Sequence, residues 1–239
     1  MEAMMKLARR LKTVAKKAGA DLVGIADLAP FKEGWPVIPQ DLLAPYTGAV
    51  SVAVHLDDEI IGAIQDGPTA DYARHYREVN SALDGITEQI LTWIAGRGFR
   101  AAAIPASHIA DELNLLGTLS HKAIARMAGI GWQGKSLLIV SPQFGPRIRL
   151  ATVITDMPLE ADRPVRNRCG TCKVCTEACP VSAIRNVRTE SCYEDREAAL
   201  HFGRCVNRTR ENKTKPGIGA LICGVCVRAC PFGNRRRNG

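Results

Sequence analysis

The cysteines constrain this sequence more than any other feature. The chain of 239 residues has nine of them, and all lie at or after Cys169. Their number is odd, and the N-terminus has charges scattered through the positions where a signal peptide would have a continuous apolar stretch. No uncharged apolar run is long enough to cross a membrane. We therefore expect a cytoplasmic protein whose cysteines bind metal rather than form disulfides.

The first cysteine motif is typical of iron–sulfur proteins. Residues 169–180 read C-x2-C-x2-C-x3-C-P, the spacing of bacterial ferredoxins that hold two clusters. In that arrangement three thiolates from one tight loop bind one cubane, and the fourth cysteine binds the other. Zinc sites more often use two separated C-x2-C pairs. The motif therefore predicts two [4Fe–4S] clusters.

The second motif, at residues 223–231, supplies three ligands as C-x2-C-x3-C-P and needs a fourth from upstream. Cys192 lies among acidic residues and Cys205 among arginines. Because an anionic cluster favours cationic surroundings, we choose Cys205 and leave Cys192 over. The expected ligand sets are group I, which is Cys169, Cys172, Cys175 and Cys230, and group II, which is Cys179, Cys205, Cys223 and Cys226.

The charge of the chain is uneven along its length. Residues 161–239 have 16 Lys and Arg against 7 Asp and Glu, whereas residues 1–160 have 16 against 17. The basic excess therefore coincides with the cysteine motifs, where two anionic clusters would offset part of it. The remainder suits an acidic electron donor such as flavodoxin or ferredoxin, or RNA, with the tail Arg235–Arg237 as a further basic segment.

The periodicity of the sequence predicts an α+β fold. Apolar spacing indicates helices at residues 3–18, 70–95 and 119–128 and strands at 21–26, 49–56, 99–104, 137–140 and 149–155. Residues 29–46, with four prolines, read as an irregular loop, and residues 157–168 as a linker. We expect a mixed α/β domain at 1–160, followed by a ferredoxin-like domain with two [4Fe–4S] clusters at 161–239.

One segment imitates a nucleotide-binding motif. Residues 129–136, GIGWQGKS, match the P-loop pattern G-x-x-x-x-G-K-[ST]. A P-loop follows a buried strand and opens a helix, whereas here a helix precedes the segment and a strand follows it. The helix N-terminus that would face the phosphates is missing, so nucleotide binding is not predicted.

The same segment carries a family resemblance. AIARMAGIGWQGKS at 123–136, the following strands, the first cysteine motif and CGVCVRACPFG at 223–233 resemble epoxyqueuosine reductases, which are related to corrinoid-dependent reductive dehalogenases. The resemblance implies an N-terminal corrinoid-binding domain and a two-cluster domain that passes electrons to cobalamin. It also implies reduction of epoxyqueuosine in tRNA.

Carried onto this sequence, the resemblance implies that Gly131, Trp132, Gly134 and Lys135 line the corrinoid site. The two glycines would let the backbone approach a bulky ring. Trp132 would pack against the corrin edge, and Lys135 would meet its amides or phosphate. The alternative interpretation is that Trp132 is a core residue and Lys135 is solvated.

The sequence departs from the family pattern at two places. Where the family has Asp-[Ser/Thr]-Gly-Pro, with the Asp as proton donor, this chain has Leu115-Leu116-Gly117-Thr118. Nearby substitutes as proton donor are Asp111, Glu112, His108 and His121, and of these we choose Asp111 and His121 as candidate catalytic residues. The family's longer members also carry a C-terminal helical-repeat region that helps to hold tRNA, and this sequence has none. We therefore expect a corrinoid-dependent reductase whose substrate need not be tRNA, with an electron-transfer protein that activates a partner as the alternative.

Overall fold

A computed structural model describes residues 2–233. Its helices are α1 (Glu2–Lys17), α2 (Asp58–Gly62), α3 (Ala70–Ala95), α4 (His121–Met127), α5 (Val174–Glu177), α6 (Arg196–Ala199), α7 (Phe202–Lys213) and α8 (Val225–Ala229). Its strands are β1 (Leu22–Asp27), β2 (Gly48–His55), β3 (Ala101–Ile104), β4 (Trp132–Gln133), β5 (Ile139–Val140) and β6 (Ile148–Thr155). None of these helices combines the length and the apolar character needed to span a bilayer.

The chain forms two compact units, each built from separate stretches of sequence. The sheet unit contains residues up to Val54, Asn80–Ile130 and Arg149–Val165. The cysteine unit contains His55–Val79, Gly131–Ile148 and the residues from Arg166 onward. The cysteine unit therefore takes two segments from the part of the chain that the predicted boundary at 160/161 gives to the first domain. That boundary stays a prediction.

The sheet unit is built on four strands in the order β1-β2-β6-β3. β1 pairs antiparallel with β2, and β3 with β6. Gly24 of β1 lies so close to the end of α4 that an added Cβ would stand 2.0 Å from the Ala128 carbonyl oxygen. Only glycine allows this approach of helix to strand. α1 buries Ala8, Leu11 and Ala15 on one face, as its 3.6-residue period predicts.

Most elements lie where the sequence predicts them, with ends shifted by one or two residues. The predicted strand at 137–140 is shorter, because Leu137 has φ 61° and only Ile139–Val140 pair, with β4. The predicted linker is irregular, as expected, but it is not a free spacer. Asp162 accepts a hydrogen bond from the Ile25 N–H at 2.8 Å and forms an ion pair with Lys12, so this segment is fixed to the sheet unit.

Candidate iron–sulfur centre

The thiols of group I lie close to one another. None of the nine cysteines forms a disulfide, and all are partly buried. Burial raises the pKa of Cys175, and the neighbouring Cys169 and Cys172 raise it further. Burial also raises the pKa of Cys230 to about 12, with Cys169 and Cys175 adding to the effect. Thiolates can share such a space only when a positive centre compensates their charges, so these four residues fit a bound cluster.

The thiols of group II form a second set. Burial raises the pKa of Cys226 far above its ordinary value, and Cys223 and Cys205 are its strongest charged neighbours. Cys179 and Cys175 also act on Cys226, so the two groups adjoin. Four cysteines, one of them from group I, pack against a small apolar core of Leu137, Ile184, Ala199 and Leu200; they are Cys175, Cys179, Cys205 and Cys226.

Cys205 and Cys192 occupy different surroundings. Cys205 lies on α7 beside Cys226, the position expected for the fourth ligand of group II. The backbone carbonyl of Cys192 accepts a hydrogen bond from the Thr189 hydroxyl at 3.4 Å. No three His, Cys, Asp or Glu side chains within residues 2–233 converge on a site for a single metal ion. The division into groups I and II stays a prediction, which these contacts support.

The segment Gly131–Lys135 lies against the first cysteine loop. The Trp132 indole N–H donates a hydrogen bond to the Cys169 Sγ at 3.3 Å, and the ring meets Phe232 edge-on at 4.9 Å. The Lys135 Nζ donates to the Cys172 carbonyl and to the Asn186 Oδ1, both at 2.8 Å. Trp132 is 1% exposed and Lys135 is 4% exposed. Both side chains therefore serve the cysteine loop.

Asn167 connects the same segment to the start of the loop. Its Nδ2 donates to the carbonyls of Gln133 at 3.0 Å and Thr189 at 2.7 Å, while its Oδ1 accepts from the Cys169 N–H at 2.8 Å. The Gln133 Oε1 accepts from the Tyr193 N–H at 2.9 Å. The strand pair β4–β5 thus fixes the position of the first ligand cysteine through its backbone.

These contacts change the interpretation of four predicted corrinoid-lining residues. At Gly131 an added Cβ would stand 2.4 Å from the Val140 carbonyl oxygen, and at Gly134 it would stand 2.7 Å from a Val140 methyl group. The glycines therefore allow β4 and β5 to pair closely. The side chains of Trp132 and Lys135 are already engaged in hydrogen bonds to Cys169 and Cys172. These contacts argue against a corrinoid-lining role for the four residues, and that role stays a prediction. Trp132 is a core residue, and Lys135 is not solvated.

Arg147 is a residue that the sequence analysis missed. Arg147 is 4% exposed, and its guanidinium donates hydrogen bonds to three carbonyls at and beyond the end of α8, those of Arg228 at 3.1 Å, Cys230 at 3.3 Å and Phe232 at 2.8 Å. Its Nε lies 3.6 Å from an Asp58 oxygen. Burial lowers the pKa of Arg147, and Asp58 and Cys230 oppose that shift. A single arginine directly before a strand has no distinguishing pattern in the sequence, so only the fold reveals this role.

His121 is held as a neutral side chain. Its Nε2 lies 3.1 Å from the Pro105 carbonyl, which can only accept, and its Nδ1 lies 2.8 Å from the Thr152 hydroxyl. The ring therefore donates from Nε2 and accepts at Nδ1. Burial lowers the pKa of His121 to about 4. This arrangement argues against the proton-donor role that the sequence suggested and gives His121 a structural one.

Asp111 stabilises the turn in which it lies. Its Oδ1 accepts from the Asn114 N–H at 3.0 Å and its Oδ2 from the Asn114 Nδ2 at 2.7 Å. Its backbone pairs with Leu116 in both directions at 3.0 Å. Both carboxylate oxygens are thus engaged by one neighbour. The structure gives Asp111 a turn-forming role, and the catalytic role stays a prediction.

The structure shows where part of the excess of lysine and arginine in residues 161–239 lies. Arg204, Arg210 and Lys213 are exposed on α7, the helix that carries Cys205. The expected basic tail at Arg235–Arg237 lies outside the described residues. The exposed charges of α7 therefore place a cationic surface on the same element as a predicted cluster ligand.

The comparisons with known proteins agree with the cysteine pattern. Residues 168–233 match the family model described as a 4Fe-4S double cluster binding domain. That region contains all nine cysteines. The prediction of two [4Fe–4S] clusters is confirmed by this match.

The curated relatives include two kinds of reductase. The epoxyqueuosine reductase of Bacillus subtilis is 33% identical over 48% of this chain and 30% of its own length. That of Leadbetterella byssophila is 25% identical over 98% and 82%. The tetrachloroethene reductive dehalogenase of Sulfurospirillum multivorans is 29% identical over 95% and 50%. The predicted resemblance to these oxidoreductases is confirmed. The chain matches about a third of the length of the Bacillus relatives.

Solved structures of both kinds share the fold. A catabolic reductive dehalogenase, NpRdhA, superposes with a TM-score of 0.76 at 21% identity, covering 96% of this chain and 32% of that one. An epoxyqueuosine reductase solved with a modified tRNA stem loop superposes with a TM-score of 0.62 at 23% identity, covering 95% and 65%. A further reductive dehalogenase structure is described as B12-dependent, with a TM-score of 0.77 at 21% identity, covering 95% and 32%. The mixed α/β character predicted from the sequence is confirmed.

Proposed function

We propose that this chain is an iron–sulfur oxidoreductase that moves electrons through two [4Fe–4S] clusters, as part of a reductase of the epoxyqueuosine reductase and reductive dehalogenase type. The observation that carries the proposal is the pair of adjoining thiol sets. Cys230 faces Cys169 and Cys175, and Cys226 faces Cys223 and Cys205. Two cubanes that adjoin allow one-electron steps from donor to acceptor.

Anaerobic reconstitution tests the cluster part of the proposal. The purified chain should take up about eight irons and show two [4Fe–4S] signals on reduction. Uptake of zinc with no iron would overturn the proposal. We also propose a cytoplasmic location, since cysteines that bind iron must stay reduced.

A corrinoid is the further cofactor that we propose from the B12-dependent relative. When bound, it supplies a cobalt centre that accepts electrons and reduces the substrate. The contacts of Trp132 and Lys135 with the cysteine loop argue against their lining its site, and we assign no other residue. Adding cobalamin to the cluster-loaded chain should give near-stoichiometric binding and a changed cobalamin absorption spectrum. An unchanged spectrum would favour the electron-transfer alternative.

The substrate is proposed to differ from tRNA. One structural relative was solved with an epoxyqueuosine-modified tRNA stem loop, but here no acid stands at Leu115–Thr118. His121 is neutral with both ring nitrogens engaged, and both Asp111 oxygens accept from Asn114. Epoxide opening requires a proton delivered to the developing alkoxide. Turnover of epoxyqueuosine-modified tRNA by the loaded chain would overturn this part of the proposal.

The same observations support the alternative, an electron-transfer protein that reduces a partner. In either case we propose an acidic electron donor, flavodoxin or ferredoxin, that docks on α7 at Arg204, Arg210 and Lys213. Such docking depends on charge, so the rate of cluster reduction by flavodoxin should fall steeply as salt is raised. Reduction by a small uncharged reductant should change little. A salt-independent rate with flavodoxin would contradict this docking surface.

A further inference from the structure

The buried cationic side chains in the described part of the cysteine unit donate hydrogen bonds to backbone carbonyls of group I cysteines. In the described part of this unit, Lys135 and Arg147 are the buried lysine and arginine. Lys135 donates to the carbonyl of Cys172, and Arg147 to the carbonyl of Cys230. Both of those cysteines belong to group I. The distribution of buried positive charge is therefore asymmetric between the predicted clusters.

Lys135 has the less compensated charge of the two. Arg147 lies 3.6 Å from an Asp58 carboxylate oxygen. Both hydrogen-bond acceptors of Lys135 are neutral oxygens, and no carboxylate within residues 2–233 pairs with it. A buried cation without a carboxylate is costly. An anionic cluster on the cysteine loop would supply the missing negative charge.

The Trp132 indole adds a hydrogen bond to the same set. Its N–H donates directly to the Cys169 Sγ at 3.3 Å, whereas in group II the Cys179 Sγ accepts a backbone N–H, that of Ala183, at 3.3 Å. In group I, Cys175 also has a hydrogen bond with the Thr176 side chain and Cys230 one with the Phe232 backbone. The two buried cations are a further difference between the sets. Cys179, Cys205 and Cys226 of group II, together with Cys175 of group I, pack against the apolar cluster that contains Leu200.

We propose that Lys135, with Trp132, makes the group I cluster the more easily reduced of the two, so that the first electron to enter resides there. Reduction adds one electron and one unit of negative charge to a cubane, and the external donor supplies that electron. Buried positive charge and hydrogen bonds to sulfur stabilise the reduced form and raise the potential. Lys135 and Trp132 are positioning residues that act through the cluster. The inference rests on the proposed ligand sets.

The test is a redox titration of the reconstituted protein followed by electron paramagnetic resonance. K135M should lower the equilibrium constant for reduction of the higher-potential cluster about tenfold, equivalent to about 59 mV for one electron. W132F should lower it about threefold. The control is K173M, because Lys173 follows Cys172 directly but is exposed, and solvent screens its charge. Shifts confined to the lower-potential cluster, or equal shifts in K173M and K135M, would overturn the inference.

A measurement on the unaltered protein covers the case in which K135M fails to load. Protein with 15N-labelled indoles is poised at the potential where one cluster is reduced, and pulsed resonance is recorded. Trp132 is one of three tryptophans, and the other two, Trp35 and Trp93, lie in the sheet unit. A 15N coupling to the reduced cluster is expected. Its absence in a protein with full iron content would overturn the inference and leave the proposed function intact.

Discussion

At the scale of single residues, an experiment can decide whether Cys205 or Cys192 is the fourth ligand of group II. Cys205 lies beside Cys226, and Cys192 lies in the segment after Thr189. C205S should lose the group II cluster and retain about four irons, whereas C192S should retain about eight. Iron and sulfide analysis after anaerobic reconstitution measures this. Equal losses in both variants would show that the group II ligand set is wrong.

His121 gives a pH dependence at the same scale. Its pKa is about 4 in the folded protein because burial disfavours the charged ring, against 6.5 for the free side chain. The unfolded chain therefore binds more protons between these values, and folding is stabilised fully above pH 6.5 and progressively less as the pH falls toward 4. The loss is at most about 3 kcal/mol. Urea unfolding at pH 7 and pH 5 measures the free energy of unfolding at both values. Its decrease from pH 7 to pH 5 should be smaller for H121Q than for the natural protein, and equal decreases would contradict this.

At the scale of secondary structure, the close contact of β1 with the end of α4 depends on one glycine. G24A places a methyl group against the Ala128 carbonyl and should destabilise the protein by about 2–3 kcal/mol. G85A is the matched control, because Gly85 lies in the exposed middle of α3 with open space around it. It should stabilise by about 0.5–1 kcal/mol. The midpoints of urea unfolding measure the stability change in each variant. An unchanged stability of G24A would contradict the packing described.

The elements also show what sequence periodicity can and cannot predict. α1 and α3 have long amphipathic repeats, so their positions follow from the sequence. β4 has two residues, too few for any period, and its role becomes visible only when it pairs with β5. Spacing alone pointed to seven of the predicted ligand cysteines, and neighbouring charge was needed to choose Cys205 as the eighth. The hydrogen bonds of Trp132, Lys135 and Arg147 could not be predicted, because their partners lie 37 to 85 residues away in the sequence.

At the scale of the whole molecule, the cysteine unit combines three separate stretches of chain. Four of its cysteines pack against the apolar cluster that contains Ile184 and Leu200, so we expect bound iron to contribute to its stability. Removing the iron with a chelator should increase hydrogen exchange in residues 55–79, 131–148 and 166–233 together, while β1 and α1 stay protected. Mass spectrometry of peptic fragments measures this. An increase confined to residues after 160 would favour the sequence-based boundary over the compact units.

The position of Cys230 also bears on how the protein is made. Its thiol faces Cys169 and Cys175, so the set that begins at residue 169 is incomplete until residue 230 has left the ribosome. During translation, Cys169, Cys172 and Cys175 are synthesised before the fourth predicted ligand of this set. Because all four thiolates are needed to hold a cubane, we expect this cluster to be inserted only after residue 230 has emerged.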